Sequence, residues 1–152
     1  MKYHFYNANI LSEGKILHGD VVVEDEKIIY VGKDISVKAD REIDVKGNVL
    51  MAGFVNAHVH TPMTLLRGVA DDMELYSWLY DNIFPAEQKL TPEDVYWGEM
   101  LGIAEQVRAG ITAFDENYFH FDAIIDAVKK SGVRCRLGLP GNFNGKSAKE
   151  MN

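Results

Sequence analysis

The sequence predicts an α/β protein in two parts: a small sheet of short strands over residues 1–52, then strands alternating with helices over residues 53–152. Two observations carry this. The first stretch holds β-rich runs parted by turn-forming residues and shows no helical period. The second runs strand, helix, strand, helix, strand, an order that implies right-handed crossovers and a parallel sheet. That order alone permits either a doubly wound sheet or a (β/α) barrel.

In the first part, Val21-Val22-Val23, Ile28-Ile29-Tyr30-Val31 and Asn48-Val49-Leu50-Met51 are the strand candidates. The turns between them are Ser12-Glu13-Gly14-Lys15, Glu24-Asp25-Glu26-Lys27 and Lys46-Gly47-Asn48. A small antiparallel sheet is the simplest expectation. In the second part, Phe54 to Val59 is apolar enough for a buried parallel strand, with Pro62 soon after it. Glu74 to Phe84 carries Leu75, Trp78, Leu79 and Ile83 at the spacing of one helix face and is expected to stop before Pro85. Thr91-Pro92-Glu93-Asp94 has the form of a helix start, with a capping hydroxyl, proline in the first turn and acids beside it. That helix runs to about Ala109, and Gly110 is its stop. A strand at Ile111 to Phe114, a helix from Asp122 to Ser131 closed by Gly132, and a strand from Val133 to Leu139 complete the alternation. The tail from Gly141 to Ser147 has the composition of a loop.

Composition narrows the class of function. Of 152 residues, 47% are hydrophobic and 26% charged, which fits a globular protein and argues against disorder. A net charge of -7 repels phosphate backbones, so nucleic acid is not an expected partner. No apolar run reaches the roughly 18 residues of a membrane span, and the N-terminus lacks the apolar core of a signal peptide. Cys135 stands alone, which excludes an internal disulfide framework. No membrane partner and a cytoplasmic address are the default expectations.

The most informative residues are Asn56-Ala57-His58-Val59-His60. In a strand, side chains two apart point the same way, so His58 and His60 are expected to share a face with Asn56 while Val59 points opposite. Two imidazoles at the carboxyl end of a parallel strand can chelate one divalent metal, where barrel enzymes place their chemistry. Neutral imidazole nitrogens suit zinc or iron. The spacing alone is weak, since His4, His18 and His120 show how ordinary an isolated histidine is. The setting adds weight: an apolar strand before the pair, and a proline and an Arg67-Gly68 turn after it.

Met51-Ala52-Gly53-Phe54-Val55-Asn56-Ala57-His58-Val59-His60 resembles the first barrel strand of the amidohydrolase superfamily. The residues Thr61 to Asp72 narrow the likeness to the chlorohydrolase-like deaminases, especially the methylthioadenosine/S-adenosylhomocysteine deaminase group. Trp78-Leu79, Phe84-Pro85-Ala86-Glu87, Leu90 to Tyr96, Gly110 to Phe114 and Tyr118-Phe119-His120 continue it in register. The resemblance implies a small β-sandwich-type sheet, with residues 1–52 as its N-terminal strands, followed by the opening of a metal-dependent (β/α)8 barrel at 53–152. It implies one divalent metal, zinc ahead of iron, held by His58 and His60. It implies that Glu87 accepts hydrogen bonds from ribose hydroxyls and that Trp78 lines the substrate pocket. Without the resemblance, Glu87 would be a solvent-facing charge and Trp78 ordinary core.

Three departures stand out. Met51-Ala52-Gly53 replaces the usual proline-glycine entry. Asp115-Glu116-Asn117 adds an acid near the strand mouth, with a potential effect on pocket charge. Leu139 or Pro140 stands where some relatives present an arginine to substrate.

The implied chemistry is metal-assisted hydrolysis, in which an activated water attacks an electron-poor ring carbon and ammonia leaves. The small-molecule substrate would be a purine nucleoside or related N-heterocycle. The family's remaining ligands and its proton-carrying glutamate arise from later strands, so no catalytic residue is expected here. A complete barrel takes about 250 residues, so about three βα units are expected and the chain alone should be an inactive fragment. The other reading is a non-catalytic half-barrel acting as an assembly or metal-holding module. Its open sheet edge would self-associate or pair with a complementary half-barrel.

Overall fold

The computed structural model of the chain describes residues 1–33 and 35–138. The expectations placed on Leu139, Pro140 and the 141–147 tail lie outside these residues. Backbone contacts divide the chain into two compact units, Met1–Ala52 and Gly53–Asn152.

The first unit is one five-stranded sheet. Its strands are β1 (Lys2–Ser12), β2 (Lys15–Glu24), β3 (Lys27–Gly32), β4 (Arg41–Asp44) and β5 (Val49–Met51). They run in the order β3-β2-β1-β4, with β5 also on β1. The turn between β1 and β2 is Glu13-Gly14, with φ of 50° and 72°, the doubly positive pattern that matches the twist of a tight hairpin. The pairs β1–β2 and β2–β3 are antiparallel, but β4 and β5 both lie parallel to β1. The sheet is therefore mixed, not antiparallel as expected. β4 follows β3 in sequence yet lies on the far side of β1, and a strand reached by such a crossover runs in the parallel sense. Two short strands share that edge because β1 is irregular at Asn7, whose φ is 57° and where its register against β2 shifts. Ala8, Ile10 and Val21 form the buried core, with Phe5, Val23, Val45 and Leu50 against them.

The second unit has a three-stranded parallel sheet in the order β6-β7-β8, made of β6 (Phe54–Val59), β7 (Ile111–Glu116) and β8 (Arg134–Leu137). A 3-10 segment, Thr61–Leu66, follows β6. Helix α3 (Pro92–Arg108) connects towards β7, and α4 (Phe121–Ser131) connects β7 to β8. The start of α3 closes as its sequence implies: Thr91 and Asp94 cap each other reciprocally. Gly110, at φ 84°, and Gly132, at φ 74°, end the two helices in the left-handed conformation that glycine adopts without steric cost. Ile103 of α3, Ala127 of α4 and Phe114 of β7 are buried together, with Val59 and Cys135 against them. One sheet face is thus covered by the two helices.

Two expectations need correction. β6 is not a buried strand: Phe54 is 58% and Val55 69% exposed. It has a neighbour on one side only, so apolar residues that read as doubly covered meet solvent. Nor does the helix at Glu74 end before Pro85. It continues as α1 (Leu75–Ser77), a π-helical stretch (Trp78–Ile83) and α2 (Phe84–Glu87). The Phe84 N–H donates to the Leu79 carbonyl, five residues back. This wide turn restarts the α-helix with Pro85 in its first turn, where the missing N–H is not called upon.

Candidate metal centre

The strand-end histidines come together. The His58 and His60 ring centroids lie 4.9 Å apart with planes at 78°. Two imidazoles on one tetrahedral ion, at about 2.05 Å per bond, have ring centroids about 5 Å apart. The separation therefore suits a shared ion. Asn56, however, does not share their face. Asn56 pairs with Phe114 of β7 and Val59 with Glu116, so three steps along β6 match two along β7. This bulge inserts one residue and turns the alternation over. The Asn56 side chain instead donates to Gln106 of α3 at 3.2 Å, on the helix side where Val59 packs.

His60 is half-buried, and its Nδ1 meets the Asn117 carbonyl oxygen in a short hydrogen bond. A carbonyl only accepts, so Nδ1 carries the proton and the Nε2 lone pair is free to bind a metal. His58 is exposed. The other histidines are elsewhere: His120 meets the Leu90 carbonyl at 3.2 Å, His4 meets Asp20 at 3.1 Å and His18 meets Asn9 at 3.3 Å. Among the described residues, no group of three or more His, Cys, Asp or Glu side chains gathers to hold a metal. The donor set here is a pair, one short of the three protein ligands of an ordinary catalytic zinc.

Behind the pair lie two buried carboxyls that the sequence reading did not place. Glu116 is fully buried at the end of β7. Its Oε2 accepts from the Thr61 N–H at 2.8 Å and its Oε1 from the Asn117 N–H at 2.9 Å. Burial raises its pKa against these bonds. The added acid of Asp115-Glu116-Asn117 is therefore engaged with the backbone internally. Glu99 of α3 is also fully buried, and neither of its oxygens has a hydrogen-bond partner. Burial and the neighbouring Glu116 push it up to about 8, so it is mostly neutral at pH 7.

Glu87, at the end of α2, accepts from the Tyr118 hydroxyl at 2.8 Å. Burial raises its pKa, while Tyr118 and His60 pull it back. The Tyr118 ring lies 6.2 Å from that of His60, so Glu87, Tyr118 and His60 form one neighbourhood. Trp78 lines a hollow of about 340 Å³ together with His60, Met63, Arg67 and Asp71. Tyr118 was noticed in the sequence only as part of a motif. Nothing in the sequence marked its hydroxyl as the partner of Glu87.

A parallel β/α unit with two imidazoles at a strand end and a hollow beside His60 resembles the β/α enzymes that place their chemistry at the carboxyl ends of strands. The amidohydrolase family profile matches residues 49–150, and the chain belongs to that family. It is 45% identical over 123 residues to a 5-methylthioadenosine/S-adenosylhomocysteine deaminase of Thermococcus sibiricus, covering 81% of this chain and 29% of that protein. It is 49% identical over 125 residues to a 5'-deoxyadenosine deaminase of Methanosarcina barkeri, covering 82% and 29%. Among solved structures, an adenosine deaminase from Xanthomonas campestris with bound zinc superposes with a TM-score of 0.81 at 36% identity, over 88% of this chain and 32% of that one. The chain thus spans 29% of the length of these two curated relatives. Among the described residues, no helix is long and apolar enough to cross a membrane.

Proposed function

We propose that this chain supplies the opening of a metal-dependent aminohydrolase acting on a purine nucleoside or a related N-heterocycle. On this reading residues 1–52 contribute strands to a composite β domain, and residues 53–152 are the first three βα units of a (β/α)8 barrel. His58 and His60 would hold the metal, zinc ahead of iron, through imidazole nitrogens. The observation that carries the reading is the paired imidazoles, 4.9 Å apart at the carboxyl end of β6. The zinc in the Xanthomonas campestris adenosine deaminase and the nucleoside substrates named for the relatives support it.

When bound, the metal supplies Lewis acidity for hydrolysis. His60, fixed by the Asn117 carbonyl, presents Nε2 in one orientation. Glu87 offers a carboxylate for adjacent sugar hydroxyls, since one carboxylate accepts from two donors at once. Tyr118 holds Oε1 of that carboxyl and fixes its rotamer. Trp78 offers an indole face to the hollow for a flat ring. On this reading the proton carrier and the remaining ligands belong to later barrel strands, and a chain spanning 29% of its relatives' length is expected to be inactive alone. The test is elemental analysis of the purified chain beside a His58→Ala, His60→Ala double variant. Metal in the wild type and its loss in the variant are expected; equal metal in both would refute the site.

A further inference from the structure

We propose that Glu116 is a positioning residue for His60, clasping the two backbone sites that fix the imidazole. The proposal rests on His60 being a metal ligand, and it concerns how that ligand is held. The geometry closes a loop. One Glu116 oxygen takes the N–H of Thr61, the residue next to His60, at 2.8 Å. The other takes the N–H of Asn117 at 2.9 Å. The carbonyl of that same Asn117 receives the His60 Nδ1 proton. The Glu116 side chain thus ties the peptide leaving His60 to the residue whose carbonyl sets the ring's tautomer and rotation.

The His60 carbonyl is already held by the Met63 N–H at 3.0 Å, and the clasp adds a hold on the Thr61 N–H of the same peptide. The pairing of β6 with β7 is interrupted by the bulge between Asn56 and Val59. Beyond it, the Asn117 N–H reaches the Val59 carbonyl only at 3.3 Å. Both Glu116 bonds lie where the regular ladder has ended, at the point where the ring must be aimed. Groups behind a metal-bound histidine commonly fix its tautomer, and their loss typically weakens metal binding 10–100-fold. A carboxylate suits the task because, when ionised, both its oxygens accept. Glutamine offers one acceptor, and its amide would face an N–H donor with donors of its own.

Glu99 provides the control. It is as deeply buried and lies beside Glu116, yet neither of its oxygens bonds to any group. Glu99→Gln therefore perturbs the same core without touching the clasp.

The experiment uses the full chain, labelled with 15N at histidine and stripped of metal. Imidazole tautomers are read from long-range proton–nitrogen spectra at a pH where His60 is neutral. Wild type should show His60 as the Nδ1–H form. Glu116→Gln should show the Nε2–H form appearing at His60, and zinc affinity, measured by competition with a chromophoric chelator, should fall about 10–100-fold. Glu99→Gln should match wild type in both readouts. If Glu116→Gln does not fold, Glu116→Asp keeps both acceptors on a shorter arm and should give a mixture of the two tautomers. The proposal is overturned if His60 stays wholly Nδ1–H in the folded Glu116 variant, or if Glu99→Gln shifts it equally. A tautomer shift in Glu116→Gln together with no zinc uptake by wild type would sink the metal reading alone and still support the clasp.

Discussion

Replacing Glu99 with glutamine should make the protein more stable at high pH and change little at low pH. The Glu99 carboxyl is raised from 4.5 to about 8 by burial and by Glu116. Because its folded pKa lies above its unfolded value, the folded state keeps a proton between these limits that the unfolded chain has lost. Stability from this group is therefore full below about pH 4.5, falls as pH rises, and levels off above about pH 8. Each unit of separation is worth about 1.4 kcal/mol, so the whole span of about 3.5 units has a ceiling on the order of 4–5 kcal/mol. Water entering the site on ionisation would reduce it. Glutamine keeps the shape and cannot ionise. Glu87 and Glu116 are raised as well, so wild type will retain other pH-dependent contributions, and the difference between the two proteins reads Glu99 together with its coupling to Glu116. Urea unfolding at pH 5, 6.5 and 8 reads it out. The variant's advantage should grow with pH by at least 1–2 kcal/mol, an allowance of less than half that ceiling. Parallel pH profiles for the two proteins would refute the reasoning.

The other predictions concern packing and the hollow. Alanine at Gly102 would place its Cβ 2.3 Å from the Thr61 side chain and 3.0 Å from the Thr61 carbonyl. The clash should outweigh the helix-propensity gain of about 1 kcal/mol and destabilise by about 1–3 kcal/mol, read by thermal unfolding. Removing the α3 cap with Thr91→Ala should cost about 1 kcal/mol in the same assay. Cys135, pushed up to about 12 by burial and then by Glu99 and Glu116, should resist alkylation at pH 8 in the native chain and react once urea unfolds it. In a catalytically complete protein, Tyr118→Phe should raise KM for a nucleoside by several-fold with a smaller change in kcat, because it frees the Glu87 carboxyl to rotate; an unchanged KM would exclude that role.

Local signals in the sequence located much of the second unit. Thr91-Pro92 and Asp94 start α3, and Gly110 and Gly132 end α3 and α4, because caps and left-handed glycines are written in neighbouring residues. The strand at Ile111 runs two residues beyond its sequence-predicted end, since Asp115 and Glu116 do not look like strand interior; Glu116 is buried there with each oxygen on a backbone N–H. The longest strand, β1, escaped notice because its alternation breaks at Asn7 and its interior holds His4. The parallel placement of β4 and β5 depends on a crossover that no short motif encodes. Pro85 misled for a related reason, because a π-helical turn changes which carbonyl each N–H must find. The histidine pair was visible as a spacing, but the bulge that turns Asn56 away was not, since register belongs to two strands at once. Nothing in the sequence sets Glu99 apart from the other acids of α3, and its burial follows from tertiary packing alone.

A metal centre at the end of β6 requires His58 and His60 to act on one cation. Zinc added stepwise to the 15N-histidine-labelled chain, with imidazole nitrogens observed throughout, tests this directly. The resonances of His58 and His60 should shift together and finish at one equivalent, with His4, His18 and His120 unmoved. Independent titration of the two rings, or shifts confined to the other three histidines, would contradict it.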